Sequence, residues 1–286
     1  MFDRISNSFA LARSSWQVLR TDKQLIVFPI ISGIACLLIL LSFALPFVVH
    51  PQWLDFMNHN NPQGRQVPPW VYIVAFAYYF CNYFVIVFCN AALISCALVR
   101  FNGGTPTLAD GFSAAMNRLP QIVAWALVSA TVGLLLKMIE NANEKAGQFI
   151  SAIIGTAWTV LTYFVVPVLV VERVGPIDAV KRSMSILRKT WGEALVGHFG
   201  IGFFVFLLAL PGVLLLFVAV ALGMVNPVAG VALGVLAVLY LALASAASSA
   251  LHGIYLGALY QFAAYKQVPD GFDRDVMEGA FKRKKS

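Results

Sequence analysis

The chain has 286 residues, of which 60% are hydrophobic and 12% charged, and its formal net charge is +7. Soluble domains carry about 25% charged residues, and a soluble chain of this size could not hide so much apolar surface from water. The composition therefore excludes a water-soluble globular protein and indicates an all-α membrane protein. The positive charge is typical of the loops of membrane proteins. The sequence has no basic stripe interleaved with aromatic residues, which is the pattern that would indicate nucleic-acid binding.

An amphipathic helix is the first predicted element, because apolar residues recur at alternating steps of three and four over positions 2–19. Arg13 and Arg20 lie between those apolar positions. The helix is therefore predicted to lie in the membrane interface, with its basic residues toward the lipid headgroups. Its apolar stripe consists of Phe2, Ile5, Phe9, Ala12, Trp16 and Leu19.

Six apolar segments are long enough to cross a bilayer, whose core of about 30 Å needs about 20 apolar residues in a helix. They predict one transmembrane domain over residues 1–266, followed by a basic cytoplasmic tail at 267–286. The third segment is the shortest, while the second and sixth must tilt, break or extend beyond the bilayer. The six segments run over residues 25–49, 70–99, 121–137, 148–171, 195–221 and 228–265.

The distribution of Lys and Arg predicts the orientation of the spans, because cytoplasmic loops are enriched in these residues. The N-terminal segment, residues 100–120, residues 172–194 and the C-terminal segment together hold 17 of the 20 Lys and Arg residues. The chain is therefore predicted to be a multi-pass protein of the bacterial cytoplasmic (inner) membrane, with both termini in the cytoplasm.

Two further amphipathic helices are predicted in the cytoplasmic connections, within residues 108–119 and 177–191. With the first helix they predict three copies of one unit, a surface helix followed by a helical hairpin. The basic edges of these helices would face anionic headgroups, or the helices would only cover the inner ends of the bundle. The basic residues of the last helix are Lys181, Arg182, Arg188 and Lys189.

Two segments resemble a known family. Residues 13–20 (Arg-Ser-Ser-Trp-Gln-Val-Leu-Arg), which lead into a Phe-Pro pair at 28–29, resemble the start of an uncharacterised family of bacterial six-span membrane proteins. Residues 174–180 (Val-Gly-Pro-Ile-Asp-Ala-Val), with an Arg-Ser pair at 182–183, are similar to a motif of that family. The motif also recurs in the membrane domain fused to some glycerophosphodiester phosphodiesterases. The resemblance implies a six-span fold and no assigned activity.

A few polar residues fall inside the spans, where polar groups are costly and are therefore candidates for a functional site. Asn82 lies near the middle of the second span, Cys89 and Cys96 follow on the same face at steps of seven, and Asn90 lies nearby. This group either lines a polar cavity or makes hydrogen bonds between helices. The second interpretation is favoured.

Two histidines fall near the predicted inner ends of the last two spans. His198 and His252 are at the level of Glu172 and Glu193, so the four could form a metal or headgroup site. Their spacing gives no metal signature, and structural hydrogen bonding is the favoured role. The sequence contains no catalytic constellation, and it predicts no metal and no cofactor.

Proline and glycine predict the shapes of the spans and their contacts. Pro29, Pro167 and Pro211 are predicted to interrupt three spans, since proline removes a backbone donor. Small residues at steps of four permit close helix approach, so they predict packing within the chain, with a homo-oligomer as the alternative. The small pairs are Gly230 with Gly234 and Gly253 with Gly257.

These features favour a non-enzymatic protein that interacts with membrane lipids, above all anionic ones, at the inner leaflet. The alternative is a transporter or flippase for a lipid or a small apolar molecule, since transporters are commonly built from repeats. An intramembrane enzyme acting on lipids would depend on the two histidines and the glutamates near them. A subunit of a larger complex is a further hypothesis, and no nucleic-acid partner is predicted.

Overall fold

The computed structural model describes residues 2–50, 68–142, 146–274 and 277. Helix makes up 88% of the structure, and the described residues contain no strand. The all-α prediction is therefore confirmed. A short 3-10 helix over Lys23–Ile26 precedes the second α-helix. The α-helices are α1 (Phe2–Thr21), α2 (Val27–Val49), α3 (Pro69–Phe101), α4 (Leu108–Met116), α5 (Leu119–Ala142), α6 (Ala146–Leu161), α7 (Val165–Glu172), α8 (Pro176–Gly223) and α9 (Pro227–Tyr265).

Six helical stretches in the described part of the chain are long and apolar enough to cross a membrane. They fit a multi-pass membrane protein and correspond one to one with the six predicted segments. The third is longer than predicted. The stretches are Lys23–Val49, Pro69–Phe101, Leu119–Glu140, Ala146–Glu172, Val205–Gly223 and Pro227–Tyr265.

The helices begin where local side chains satisfy the first backbone donors. Asn226 caps α9, because its Oδ1 accepts a hydrogen bond from Ala229 N (3.2 Å) and proline follows it at the first helical position. At the start of α4, Thr107 and Asp110 form a reciprocal pair. Asp110 N donates to Thr107 Oγ1 (3.2 Å), and Thr107 N donates to Asp110 Oδ2 (2.9 Å).

The fourth span is divided into two helices. The chain leaves α6 after Leu161 and re-enters a helix at Val165, so Pro167 falls in the first turn of α7, where its missing donor is not needed. Phe164 N, freed by the break, donates to Ser183 Oγ (3.0 Å). Pro29 likewise lies in the first turn of its helix, whereas Pro211 lies inside α8 without ending it.

The predicted surface helix at 177–191 and the predicted fifth span are one helix in the structure. α8 continues through both segments because basic residues are good helix formers, so the change from polar to apolar sequence does not break the backbone. The corresponding junction at α4 differs. There the helix ends at Met116 and a new one starts at Leu119, followed by Pro120, which cannot donate into a continued helix.

The chain forms two compact units. The first unit contains Met1–Ile30, Ala92–Ala114 and Ser185–Ser286. Within it α9 is the central helix, since every residue from Gly253 to Ala263 is buried. Helix α1 packs against α9, and a methyl group added at Gly253 would lie 2.5 Å from Leu93 Cδ2. Because Gly253 has no side chain, Leu93 can pack directly against this position of α9. This glycine therefore contributes to packing within the chain.

The second unit contains Ile31–Ala91 and Ala115–Met184. Its helices α5 and α6 form a closely packed hairpin. The rings of Trp125 and Trp158 stack with centroids 5.7 Å apart and planes at 12°. Ser151 Oγ donates to Leu136 O (3.2 Å) across the same pair of helices. Aromatic stacking and a side-chain hydrogen bond therefore join the hairpin.

Candidate functional site

Helix α1 has a buried face and an exposed basic edge. Ser15 is completely buried, and its hydroxyl donates to Leu11 O (3.0 Å). Arg13 and Arg20 are exposed on the other side of the helix. Two predicted stripe residues, Ala12 and Leu19, are buried together with Leu11, Ser15 and Val18.

The segment after α9 returns to the end of α3. The helix ends at Lys266, which adopts a left-handed conformation (φ 58°) and donates its backbone N–H to Phe262 O (2.9 Å). Asp270 N then donates to Phe101 O (3.0 Å), and the Phe272 ring meets the Phe101 ring edge-on at 5.7 Å. These contacts place an acidic residue of the C-terminal segment at the end of the second span.

A cleft of about 540 Å³ opens where the C-terminal segment, the end of α1 and the end of α3 come together. Arg20, Arg100 and Asp270 provide its charged lining. Arg100 Nε lies 3.3 Å from Asp22 Oδ2, so this arginine is held in place by an ion pair. Gly271, also at the cleft, has φ +84°, a conformation that a side chain would strain. We refer to this site as the charged cleft.

The charges of this cleft are not all neutralised within the described residues. Arg20 and Asp270 line the same cleft but form no ion pair with each other or with another described residue. The cleft therefore has one positive and one negative lining residue without an ion pair, while the second arginine is balanced by Asp22. Such an arrangement is chemically suited to a ligand that carries an anion and a cation.

A second cluster of charges lies in the other unit. Arg118 Nε donates to Val170 O (2.9 Å), and Arg182 Nε lies 2.8 Å from Glu172 Oε1. Burial and the positive charge of Arg173 lower the pKa of Arg118. The two hydrogen-bonded arginines secure the last turn of α7, where cations interact favourably with free carbonyl groups. We interpret this cluster as structural.

The remaining basic residues predicted for the membrane surface lie on α8. Lys181 is exposed and pairs with Asp178 (3.2 Å), while Arg188 is exposed. The opposite positions Ala179 and Ser183 are completely buried. The side chain of Lys189 lies outside the described residues.

The polar residues predicted inside the second span do not share one kind of environment. Asn82 Nδ2 donates to Tyr78 O (2.9 Å), one turn earlier in its own helix rather than on a neighbouring one. Cys89 and Cys96 are buried, and Cys96 Sγ contacts Thr107 O at 3.5 Å. Asn90 is half-buried. The polar cavity at these residues stays a prediction.

The proposed histidine site gains no support from the part of the chain that the structure describes. Glu172 is engaged by Arg182, and His252 is half-buried with a contact of its own. The side chains of His198 and Glu193 lie outside the described residues. Among the residues searched, no three His, Cys, Asp or Glu side chains are placed to hold a metal ion.

The sequence does not predict that two residues of the charged cleft belong to one site. Arg100 belongs to the predicted cytoplasmic charges and Asp270 to the predicted tail, but nothing in their spacing joins positions 170 residues apart. A usable signal was the placement of each directly after a long apolar segment. Residues that follow two spans on the same side of a membrane lie at the same depth.

The comparisons with known proteins place the chain in a family without assigning an activity. No curated protein matches it. A family model, described as "Family of unknown function (DUF6159)", matches residues 70–270. The match includes five of the six apolar helical stretches and the acidic residue of the charged cleft. The chain therefore belongs to this family of unknown function, DUF6159.

Proposed function

We propose that this chain is a non-enzymatic protein of the bacterial cytoplasmic membrane that interacts with phospholipid headgroups, anionic ones above all, at the inner leaflet. One observation carries the proposal: α1 and α8 each bury one face and leave arginine exposed on the other. The exposed residues are Arg13 and Arg20 on α1 and Arg188 on α8. An arginine or lysine near an anionic membrane surface contributes about 1 kcal/mol of binding.

The distribution of charge supports the orientation that this function needs. The connections that hold 17 of the 20 Lys and Arg residues include both termini and the beginning of α8. The positive-inside rule therefore favours cytoplasmic termini. Both helices with exposed arginine would then face the inner leaflet.

Lipid retention in nanodiscs tests the proposal. The protein would be reconstituted in equal amounts of phosphatidylglycerol and phosphatidylcholine, and the lipids that it keeps on release would be counted by native mass spectrometry. We expect phosphatidylglycerol to be enriched, and the enrichment to fall as salt is raised from about 0.05 M to about 0.5 M, because salt screens exposed charges. Equal retention of both lipids at low salt would refute the proposal.

Matched variants locate the effect. Arg13→Gln combined with Arg188→Gln should lower the enrichment, since both changes remove exposed positive charge from α1 and α8. Lys137→Gln is the control, because Lys137 is exposed, pairs with Glu140 (3.1 Å) and is predicted to face the other side of the membrane. If both variants reduced the enrichment equally, net charge rather than the inner surface would be responsible.

Transport of a lipid or a small apolar molecule is a second candidate, favoured by the divided fourth span. Discontinuous helices are common at the substrate sites of transporters, and here Ser183 Oγ receives the backbone N–H that the break exposes. Fluorescent phospholipid added to proteoliposomes would show whether lipid crosses the bilayer. We expect a crossing rate above that of protein-free liposomes if this candidate is correct, and a changed rate for Ser183→Ala. Equal rates with and without protein would exclude lipid transport.

A further inference from the structure

We propose that the charged cleft of the first unit binds a phosphoethanolamine group, that is, a phosphate ester joined to a primary ammonium. The inference rests on the proposed function in taking a phospholipid headgroup as the natural form of this ligand. It goes further in assigning one site, one headgroup chemistry and the residues that recognise it.

The positive side of the cleft fits the phosphate. Arg20 is exposed, lines the cleft and has no ion pair with a described residue. Arg100 contributes a second guanidinium, and its ion pair with Asp22 uses Nε at 3.3 Å, which leaves its terminal N–H groups for a ligand. Two guanidinium groups at one cleft are a common arrangement for phosphate, because their planar donors match its oxygens.

The negative side of the cleft fits the ammonium. Asp270 lies in the same lining, and its backbone is fixed by the hydrogen bond from its N–H to Phe101 O (3.0 Å). Its carboxylate forms no ion pair with Arg20 or with another described residue, so its charge is not neutralised there. A ligand with both charges can satisfy both residues at once.

The size and position of the cleft agree with a headgroup. Its volume of about 540 Å³ lies within the range of about 300–1,000 Å³ that is usual for small-molecule sites. It opens at the last turn of α3, the end of a helix long enough to cross the membrane. A headgroup could therefore enter the cleft while its acyl chains remain beside the spans.

Recognition of a primary ammonium should distinguish ethanolamine from choline. An –NH₃⁺ group donates charge-assisted hydrogen bonds to a carboxylate, and a trimethylammonium group has no N–H to donate. We therefore expect the protein in maltoside detergent to bind dihexanoyl-phosphatidylethanolamine about three- to tenfold more tightly than dihexanoyl-phosphatidylcholine, measured by titration calorimetry.

Substitutions in the cleft separate the two halves of the ligand. Asp270→Asn should abolish the preference for ethanolamine over choline, while Asp270→Glu should retain it. Arg20→Gln should weaken both lipids to a similar extent, because both carry the phosphate. Asp273→Asn is the matched control for the aspartate variants, since this exposed residue lies on the same segment outside the cleft lining. Unchanged melting temperatures would show that the variants are folded.

The outcomes distinguish this inference from the proposed function. Binding of both lipids with equal affinity, or a preference that Asp270→Asn leaves intact, would overturn the inference while leaving lipid binding in place. No binding of either lipid would overturn the inference, while the proposed function would still depend on the nanodisc result. A parallel titration with soluble glycerophosphoethanolamine identifies the source of the ligand. Equal affinity there would support the same group from a soluble ester, and weaker binding would support the lipid.

Discussion

Helices α2 and α9 both belong to stretches long and apolar enough to cross a membrane, yet the surroundings of α2 and of the C-terminal half of α9 differ completely. Along α2, large apolar side chains such as Ile34, Leu38 and Leu45 are more than half exposed. In α9 every position from Gly253 to Ala263 is buried. The apolar side chains of α2 are therefore exposed, whereas the C-terminal half of α9 is surrounded by protein.

The difference shows that a glycine contributes to helix packing only where a neighbouring side chain occupies the space that its missing side chain leaves. Both helices contain glycine, but a methyl group added at Gly33 of α2 would meet nothing within 4 Å. One added at Gly253 of α9 would lie 2.5 Å from Leu93 Cδ2. In lipid, where apolar residues gain nothing by leaving the solvent, close packing of this kind drives helix association. Apolar composition sets which segments span, and side-chain volume at contacts sets which spans become central.

Gly253→Leu paired with Gly33→Leu provides the strongest test of this comparison. The same change should destabilise the protein by about 3 kcal/mol in α9, where it overfills a contact, and by no more than about 0.5 kcal/mol in α2. The unfolding of each purified variant in maltoside would be followed by circular dichroism on heating. Similar losses in both variants would show that burial does not separate these helices as described.

A second close approach tests whether the rule extends to a short helix. A methyl group at Gly111 of α4 would lie 2.5 Å from Phe28 Cζ and 2.7 Å from Cys96 Sγ. Gly111→Ala should therefore cost about 2 kcal/mol, although alanine has the higher helix propensity. Gly175→Ala is the control, because that site is open. A stabilised Gly111→Ala protein, detected as a higher melting temperature, would contradict the prediction.

The cap at the start of α4 tests a contribution to stability that does not depend on burial. Thr107→Ala removes the hydroxyl that accepts a hydrogen bond from Asp110 N at the start of α4. We expect a loss of about 1 kcal/mol, the usual cost of deleting such a cap. Thr156→Ala is the matched control, since its exposed hydroxyl only donates to Ala152 O within the same helix. Equal melting temperatures for Thr107→Ala and the wild-type protein would argue against the cap.

The smallest expected effect is a pH dependence at the same cap. Hydrogen bonds from Thr107 lower the pKa of Asp110. A group with a lowered pKa in the folded state stabilises the protein fully above its unfolded pKa, which is about 3.9 for aspartate, and loses that contribution as the pH falls through the folded pKa. The melting-temperature difference between the wild-type protein and Asp110→Asn should therefore shrink below about pH 4. A constant difference from pH 6 to pH 3 would exclude this linkage.

Composition and apolar length were sufficient to predict the six apolar helices, because each span satisfies its backbone within one local segment. They were insufficient at the start of α8, where a polar segment and an apolar one share a single helix. Hydropathy predicts whether a segment lies in lipid or in water, but it does not predict where a helix begins or ends. Pro29, Pro167 and Pro211 show the same limit of sequence-based prediction. Whether a proline interrupts a helix depends on where that helix begins, which composition does not give.

The charged cleft depended on contacts that no local pattern contains. Arg20 was predicted from the basic edge of α1, but its partners in the cleft come from the end of α3 and from the segment after α9. The hydrogen bond between Asp270 N and Phe101 O is a long-range backbone contact. Periodicity is a property of one segment of the sequence, whereas a cleft forms between separate segments. Periodicity therefore gives no information about this contact.

The packing of α1 against α9 has a consequence for biosynthesis. Helix α1 can contact its partner α9 only when roughly 240 further residues have been made. At about 5–20 residues per second this interval lasts tens of seconds at the slower rates and over ten at the faster. During that time the face of α1 around Leu11, Ser15 and Leu19 has no native helix to cover it. The α1–α9 contact is therefore among the last contacts of the described chain that can form during synthesis.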